Sequence, residues 1–337
     1  MAAQRPALPS QRDVAARAGV SRSTVSAVLS GSSAVKIAEE TRRRVWAAAE
    51  ELGFRPNEIA RNLRAQRSSV LGLVSSEIAT MPYAVAIIKG AQEAALRAGR
   101  MLLIIDTDGA AEMTGQAVAA MARWRVDGLI LAADHHRPLE VPPGVTTSGT
   151  ILVNCVAPGS GLPCVVPDER QGGRLATETL LAAGHRRVGF VNGPPGFLAS
   201  HGRLQGYRDA LRAAGITSGQ RLVKTGDWWQ ESAARATAEL LDLDDAPTAV
   251  FCANDWMAMG AYEAIKGRGL RIPEDVAVIG FDNRAEIAAH LQPPLTTVAL
   301  PYRAMGELAV ERLLGADAGT ESLVTRVHCP LVRRESV

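Results

Sequence analysis

Residues 11–30 read QRDVAARAGVSRSTVSAVLS, and this stretch decides how the amino-terminal part of the chain folds. Its pattern is that of two short helices joined by a tight turn. Gly19 allows a turn with positive φ, and Ser21 can cap the helix that follows. Ala15 is small enough to lie where two helices cross, and Val25 lies beneath the second helix. This spacing predicts a helix-turn-helix.

The second helix of such a unit enters the major groove of DNA, and side chains near its amino terminus reach the base edges. Arg22 is the best candidate for a base contact, because a guanidinium can bond O6 and N7 of guanine together. The alternative is a plain helical hairpin with a solvated polar face. The candidate DNA-contacting residues of this helix are Ser21, Arg22, Ser23, Thr24 and Ser26.

The distribution of charge along the chain agrees with DNA binding. The net charge of the whole chain is +2, but residues 1–70 hold 12 basic and 6 acidic residues, against 25 and 29 in the remainder. A basic head on an acidic body is typical of proteins that bind nucleic acid. Charged helix faces are common, so this pattern supports the motif and does not replace it.

The size and composition of the chain exclude several classes of protein. At 337 residues and 47% apolar, it is longer than one ordinary domain and is not disordered. The sequence contains no run of 18 apolar residues, so we predict no membrane span. Residues 1–19 lack the apolar core of a signal peptide, so we expect a cytoplasmic protein. The scattered cysteines are expected to be buried reduced thiols; they are Cys155, Cys164, Cys252 and Cys329.

From residue 70 onward, short apolar runs alternate with helical patterns. The first runs are VLGLVS, MLLIID, GLILAA and TILVN, and a second series is RVGFVNG, RLVKTGD, TAVFCAND and VAVIGFDN. Such alternation predicts parallel sheets with helices on both faces. Two series favour two similar lobes, with a ligand cleft at the carboxyl ends of their strands.

A short segment joins the head to this body. Residues 54–57 form a linker, in which Pro56 turns Arg55 away from helical geometry. Residues 58–64 have a helical pattern but are too short to form a stable helix alone. We therefore expect this segment to fold only with a partner.

Several segments in order resemble the LacI/GalR (lactose-repressor) family of bacterial transcription regulators. The similarity runs essentially from end to end. The similar segments are SRSTVS (21–26), EETRRRV (39–45), ELGFRPNEIARNLR (51–64), GHRRVGFVNG (184–193), CANDWMAMGA (252–261), VAVIGFDN (276–283) and PPLTTV (293–298).

The resemblance implies a helix-turn-helix head at 1–55, a hinge at 56–68 and an effector-binding and dimerisation body at 69–337. The body would be periplasmic-binding-protein-like, an α/β fold with parallel sheets flanked by helices. Its lobes are expected at about 69–167 plus 295–322, and 168–294 plus 323–337. The implied partners are double-stranded operator DNA, a small sugar-like effector and a second copy of the chain. Residues 324–337 carry no heptad pattern, which favours a dimer over a tetramer.

The resemblance also assigns DNA-binding residues. Arg22 and Ser23 fall at base-reading positions, whereas Ala27 stands where the family usually has arginine. That difference prevents the transfer of a family operator sequence. In the hinge, Asn57, Ala60 and Leu63 match the family pattern, in which a leucine wedges into the minor groove and kinks the duplex.

The resemblance places effector-binding residues at the strand ends of both lobes. Asp282 matches a carboxylate that binds ligand hydroxyls, and Trp228 an aromatic platform. Asn154 departs from the aspartate that is frequent there. Asp255 is expected to cap the helix at 256–267, and Asp168 with Gln171 to form a capping box. The candidate effector-binding residues are Ser76, Tyr83, Asn154, Arg203, Trp228, Asn254 and Asp282.

Other classes of protein fit the sequence less well. The chain lacks the motifs G-x-x-x-x-G-K-[ST], H-E-x-x-H and G-x-S-x-G, and its six histidines have no metal-ligand spacing. We therefore expect no enzyme activity, cofactor or metal, and we expect His135 and His136 to be a solvated pair. An exported or free-standing sugar-binding protein is the alternative, and the DNA-reading head argues against it.

The expected mechanism is allosteric. Closure of the cleft on a ligand would reorient the first lobes and either order or fray the paired 58–64 segments. A coupling of about 1–3 kcal/mol suffices to change DNA affinity by roughly 5- to 150-fold. A sugar derivative suits the predicted polar and aromatic residues, with a nucleobase as the alternative. The sequence leaves open whether the effector induces or co-represses.

Overall fold

A computed structural model of the chain describes residues 9–29, 37–55, 68–78, 84–217, 219–315 and 322–337. The chain divides into two compact units, Met1–Ser68 and Ser69–Val337. We call the first unit the head and the second the body.

The head contains three helices: α1 (Gln11–Ala18), α2 (Arg22–Leu29) and α3 (Glu39–Glu51). Ser10 and Asp13 form a capping box at the start of α1, in which Asp13 accepts from the Ser10 backbone N–H at 2.8 Å. The helix ends at Gly19, which adopts the left-handed conformation with φ 64°. Ser21 caps α2, as predicted, because its Oγ accepts from the Thr24 N–H at 3.1 Å.

The three helices of the head share one small apolar core. Val14, Val25 and Val45 are fully buried at its centre, and Leu52 and Phe54 pack at its edge. Ala15 and Val25, which the sequence pattern places at the contacts between the helices, are both buried. The predicted helix-turn-helix is therefore confirmed.

The strands of the body alternate along the chain with helices. The strands are β1 (Val70–Ser76), β2 (Met101–Asp106), β3 (Gly128–Pro138), β4 (Thr150–Val156), β5 (Cys164–Pro167), β6 (Val188–Asn192), β7 (Val223–Thr225), β8 (Ala249–Cys252), β9 (Ala277–Asp282), β10 (Thr296–Ala299), β11 (Val324–Val327) and β12 (Leu331–Val332). The helices are α4 (Val85–Arg97), α5 (Ala111–Arg123), α6 (Glu169–Ala182), α7 (Leu198–Ala213), α8 (Gln230–Leu241), α9 (Asp255–Lys266), α10 (Ala285–Ala288) and α11 (Tyr302–Leu314).

Two six-stranded sheets in the described residues form the centres of two lobes. The first sheet has the order β11-β5-β4-β3-β1-β2 and is parallel throughout. The second has the order β12-β10-β9-β8-β6-β7, in which only β12 runs antiparallel. Helices pack on both faces of the sheets, so the predicted fold class is confirmed.

The lobe boundaries expected near the carboxyl terminus are wrong by one strand each. β10 was expected in the first lobe, but it pairs with β9 in the second, with Thr296 opposite Ile279. β11 was expected in the second lobe, but it extends the first sheet beside β5, with Val324 opposite Cys164. The neighbour of β11 is far away in sequence, which the local pattern does not contain, whereas β10 stays beside the strand that precedes it.

The chain crosses between the lobes three times, after β5, after β10 and after β11. These crossings lie side by side. The Asp168 N–H donates to the Val327 carbonyl at 2.9 Å, and the Ala299 N–H donates to the Pro330 carbonyl at 2.7 Å. The connection between the lobes therefore consists of three chain crossings that are hydrogen-bonded to one another.

The predicted capping box at Asp168 is only half formed. Asp168 caps α6 by accepting from the Gln171 N–H at 3.0 Å. The Gln171 side chain does not return the contact, because it accepts from the Cys329 N–H at 2.8 Å in the third crossing. Gln171 thus connects α6 to the third crossing between the lobes.

Within the described ranges, no helix is long and apolar enough to cross a membrane. The four cysteines are free and buried, as expected.

Candidate functional site

A cavity of about 300 Å³ lies between the two lobes of the body, where strands of both sheets end. This is the place at which parallel α/β sheets bind ligands. We call it the interlobe cavity. Its lining residues are His135, His136, Asn154, Glu169, Phe197, Ala199, Arg203, Trp228, Trp229, Asn254, Trp256, Asp282, Arg284, Leu300 and Tyr302.

Arg203 is a buried charged residue among the second-lobe residues that line the interlobe cavity. Its Nε donates to Glu169 Oε2 at 2.7 Å, and its Nη1 donates to the Ala253 carbonyl. The same Nη1 lies 3.7 Å from Asp282 Oδ1. The guanidinium also lies over the Phe281 ring, with Cζ 3.8 Å from the ring centroid. Arg203 is therefore held in one orientation by charge, hydrogen bonds and packing.

The sequence brings Arg203 and Glu169 together through two closely packed helices. Glu169 is in the first turn of α6, and Arg203 is in the first half of α7. A Cβ at Gly173 would clash with the Arg203 backbone, and one at Gly206 would clash with the Arg170 carbonyl. Glycine at both positions allows the close approach that the ion pair requires.

The two carboxylates near Arg203 have opposite pKa shifts. Burial disfavours the charged form of Glu169, but Arg203 and His136 outweigh it and hold the pKa below its ordinary value. Burial raises the pKa of Asp282 to about 7, although Arg203 acts in the opposite direction. Near neutral pH, Glu169 is a charged partner of Arg203, whereas Asp282 exchanges a proton.

Aromatic side chains form another part of the wall. Trp228 adopts a positive φ of 78° and lies against Gly193, where a Cβ would clash with the indole ring. The Phe197 ring meets Trp228 edge-on, with centroids 5.4 Å apart. Trp229 and Trp256 also line the cavity, with centroids 5.9 Å apart, and the Arg284 guanidinium lies 5.2 Å from the Trp256 centroid.

Asn254 lines the cavity, but its side chain is occupied by a structural role. Its Oδ1 caps α9 by accepting from the Met257 N–H at 2.7 Å, and its Nδ2 donates to the Trp228 carbonyl at 3.1 Å. The assignment of the cap to Asp255 is therefore wrong. Asp255 is fully buried behind the wall, where it accepts from the Thr297 hydroxyl at 2.7 Å and from the Arg284 N–H at 2.6 Å.

The first lobe contributes Asn154 to the interlobe cavity, as expected, but not Ser76. Asn154 is buried at the end of β4 with φ 58°, and its Nδ2 donates to the Ala133 carbonyl at 3.1 Å. Ser76 lines a different cavity of about 460 Å³ beside α5, where it accepts from Arg137 at 2.8 Å. Tyr83 lies outside the described residues.

His135 and His136 are not the solvated pair that the sequence pattern predicted. Both line the interlobe cavity at the end of β3. The His136 Nδ1 lies 3.8 Å from Glu169 Oε1, and only 13% of its side chain is exposed. The His135 ring lies 5.3 Å from the Phe197 ring. The signal for this placement was present, because the two residues directly follow an apolar run that forms a strand.

In the head, the amino terminus of α2 presents Arg22 and Ser23 to solvent. The Ser21 hydroxyl is bonded to the hydroxyls of Ser23 at 2.7 Å and Thr24 at 2.8 Å. Ser26, one turn later, is half-buried. The hinge residues Asn57, Ala60 and Leu63 lie outside the described residues.

No cluster of potential metal ligands occurs in the part of the chain that the structure describes.

Comparison with known proteins identifies both units. Residues 11–57 match the profile of bacterial regulatory proteins of the lacI family, and residues 68–335 match that of periplasmic binding proteins and the sugar binding domain of the LacI family. The HTH-type transcriptional repressor PurR of Aliivibrio salmonicida (strain LFI1238) is 33% identical over 330 residues, covering 97% of this chain and 98% of that protein.

Solved structures show the same relationship. A complex of the lac repressor dimer with operator and the anti-inducer ONPF has a TM-score of 0.75 at 28% identity, covering 98% of this chain and 99% of that chain. A complex of the transcriptional regulator CelR with cellobiose has a TM-score of 0.64 at 33% identity, covering 98% of this chain and 100% of that chain. The chain belongs to the LacI family of bacterial regulatory proteins, and it is a DNA-binding transcriptional repressor that responds to a small-molecule effector.

Proposed function

We propose that the effector is a sugar or a sugar derivative that binds in the interlobe cavity. The observation that carries this proposal is the buried group of Arg203, Glu169 and Asp282, with contacts of 2.7 and 3.7 Å, beside the Trp228 ring. Arg203 donates hydrogen bonds, and Asp282 accepts or donates according to its protonation. Vicinal hydroxyls need such neighbouring donors and acceptors.

The aromatic wall suits the same class of ligand. A sugar ring has an apolar face and a polar rim, so it packs on an aromatic ring while its hydroxyls bond side chains around it. Trp228 and Phe197 supply the apolar surface. A cavity of about 300 Å³ is at the small end of ligand sites, which favours a monosaccharide-sized effector. The cellobiose complex of CelR supports a sugar as well.

Binding between the lobes connects the effector to DNA. A ligand that contacts both lobes stabilises one arrangement of them over others. The linker from the head leads directly into β1 of the first lobe. A change in the arrangement of the lobes therefore acts on the 58–64 segment. A coupling of about 1–3 kcal/mol is enough for a repressor to respond. We infer that the protein acts on DNA in the cytoplasm.

In this proposal, α2 reads the operator in the major groove. Arg22 bonds a base, and the hydroxyls of Ser21, Ser23, Thr24 and Ser26 contact neighbouring bases or phosphates. In the hinge, Asn57 and Ala60 face the minor groove and Leu63 wedges into its central step.

A homodimer supplies the two heads that a palindromic operator needs. The support for it is an apolar surface at the edge of the first sheet. β2 is an edge strand, yet Met101 is 69% exposed, and Trp124 after α5 is 73% exposed beside it. Soluble monomers rarely leave a large apolar patch next to an unpaired strand edge. We propose that a second copy covers this surface.

A thermal-shift screen of the full chain tests the proposed effector class. The library contains monosaccharides, disaccharides, sugar acids, sugar phosphates and nucleobases. A sugar-type compound is expected to raise the melting temperature of the native chain and not that of an Asp282→Ala variant. The shift is expected to persist in Asp245→Ala, whose side chain is 81% exposed and does not line the cavity. A shift with nucleobases alone contradicts the proposal.

A further inference from the structure

Several hydrogen-bond acceptors in the second-lobe wall of the interlobe cavity are occupied, whereas the Asp282 carboxylate, with Arg203 Nη1 3.7 Å away, is open to a ligand. The Glu169 carboxylate is bound by Arg203, and the Asn254 Oδ1 is bound by the Met257 N–H. Both oxygens of Asp255 behind the wall are also bonded. A ligand whose groups only donate hydrogen bonds therefore finds few acceptors there.

Two donor side chains of the cavity, Trp228 in the second lobe and His136 in the first, have no hydrogen-bond partner in the described residues. The indole N–H of Trp228 and both ring nitrogens of His136 are buried and have no hydrogen-bond partner among the residues that the structure describes. A neutral imidazole has one N–H, and a charged imidazole has two. Buried donors without partners are rare in folded proteins, which points to a ligand that supplies the acceptor.

The His136 ring can present its nitrogens to the cavity by a simple rotation. Its side chain is 13% exposed while both nitrogens are covered, so the exposed atoms are carbons. A half-turn about χ2 exchanges each ring nitrogen with a ring carbon. The 3.8 Å separation from Glu169 is too long for a hydrogen bond, so the rotation gives up an electrostatic contact with Glu169 and no hydrogen bond of normal length.

The charges of the wall favour an anion over a cation. Arg203 is ion-paired with Glu169 at 2.7 Å, and Arg284 is ion-paired with Glu286, whose side chain is 58% exposed to solvent. Burial raises the pKa of Asp282 to about 7, so its negative charge is incomplete near neutral pH. A carboxylate on the ligand therefore meets donors and positive charge, and it meets no fully charged, unpaired acid in the described wall.

We propose that the effector carries a carboxylate, as a sugar acid does, and that His136 is the residue that selects it. This inference rests on the proposed function, because it assumes that a sugar-type effector binds between the lobes. The carboxylate accepts from His136 and from the donors of Arg203 and Trp228. The hydroxyls of the same ligand bond Asp282.

Matched pairs of ligands test the proposal by isothermal titration calorimetry on the full chain at pH 7. D-Glucuronate is compared with D-glucose, and D-galacturonate with D-galactose, since each pair differs only in the carboxylate. At least one acid is expected to bind tenfold or more tightly than its neutral partner. His136→Phe is expected to abolish that preference, and His136→Gln, which keeps an N–H donor, to retain it. His290→Phe, at an exposed site of the second lobe, is the matched control.

The possible results separate the two proposals. If neutral sugars bind as tightly as the acids, the carboxylate proposal is wrong and the sugar site stands. If His136→Phe keeps the preference, His136 does not select the ligand. Glucose 6-phosphate is included as a further probe, and its preferential binding would assign the anion to a phosphate and overturn the carboxylate. Binding by no member of the panel contradicts both proposals.

Discussion

His136 of the first lobe and Glu169 of the second lobe face each other across the interlobe cavity, with Nδ1 and Oε1 3.8 Å apart. His135 makes a second contact of this kind, with Phe197. The end of β3 thus reaches the opposite lobe at the same place where the proposed effector binds. Any ligand that changes these contacts also changes the arrangement of the lobes, which connects effector binding to the rest of the body.

Replacing Asp282 with alanine is expected to separate effector binding from DNA binding. The variant loses a group that bonds ligand hydroxyls, while the head is unchanged. Operator affinity without effector should stay within about twofold, and the effector response of roughly 5- to 150-fold should disappear. Fluorescence anisotropy with a labelled operator, selected by the protein from random DNA, measures both. A normal effector response in this variant would show that Asp282 does not bind the effector.

The contribution of Asp282 and Asp255 to the stability of the protein is expected to fall as pH rises from about 4 to about 7. Burial raises the pKa of Asp282 to about 7 from the ordinary 3.8, and burial also raises the pKa of Asp255. In that window these two carboxyl groups hold more protons in the folded chain than in the unfolded chain, so their contribution to the free energy of unfolding decreases with pH. Asp282→Asn, which resembles the protonated form, should flatten the slope. Urea unfolding between pH 4 and pH 8 measures it, and an identical slope would count against the raised pKa.

Arg22→Ala is expected to weaken operator binding by about 1–3 kcal/mol and to relax specificity at one base pair. The reason is the loss of a side chain that is exposed at the amino terminus of α2 and can bond a base. Selection from a DNA library by the variant measures the specificity. Arg174→Ala, on the surface of the body with 60% of the side chain exposed, is the control. An unchanged base preference would exclude Arg22 from direct readout.

A charge on the apolar surface at β2 is expected to dissociate the proposed dimer. Leu103→Glu buries a carboxylate in the interface, where it has no partner, and the cost exceeds what a modest interface tolerates. Sedimentation velocity should show a monomer, and operator affinity should fall because one head reads one half-site. Val141→Glu, at a site 36% exposed elsewhere on the first lobe, is the control. A dimer in both variants would place the interface elsewhere.

Leu63→Ala is expected to reduce the bending of operator DNA. An apolar side chain inserted between base steps unstacks them and kinks the duplex, and alanine is too short to do so. Circular-permutation gel shifts measure the bend angle. Because Arg22 is unchanged, the preferred operator sequence should stay the same, so an equal bend angle would contradict the wedge.

The head could be predicted closely because its information is local. The turn at Gly19, the cap at Ser21 and the inward valines are set by neighbours within a few residues. The body fold followed from strand and helix alternation for the same reason. The place of β11 could not be predicted, because it pairs with β5, a strand of the first series about 160 residues earlier. β10 pairs with β9, the strand directly before it, and the chain crosses to the first lobe after β10 and not before it.

The candidate effector site could be predicted in part. The resemblance assigned Arg203, Trp228 and Asp282 to one site, and all three line the interlobe cavity. Ser76 lines another cavity beside α5, together with its neighbours Val74 and Ser75 at the end of β1. His136 was missed because β3 continues past the apolar run from which its end was inferred.

The three adjacent crossings mean that neither lobe is a contiguous piece of the gene. Loss of residues 324–337 would remove an outer strand from both sheets at once. An exchange of one lobe with that of a relative would need three matched junctions where an ordinary tandem protein needs one. A change in ligand preference is therefore easier to reach by point substitution within the cleft than by recombination of whole halves.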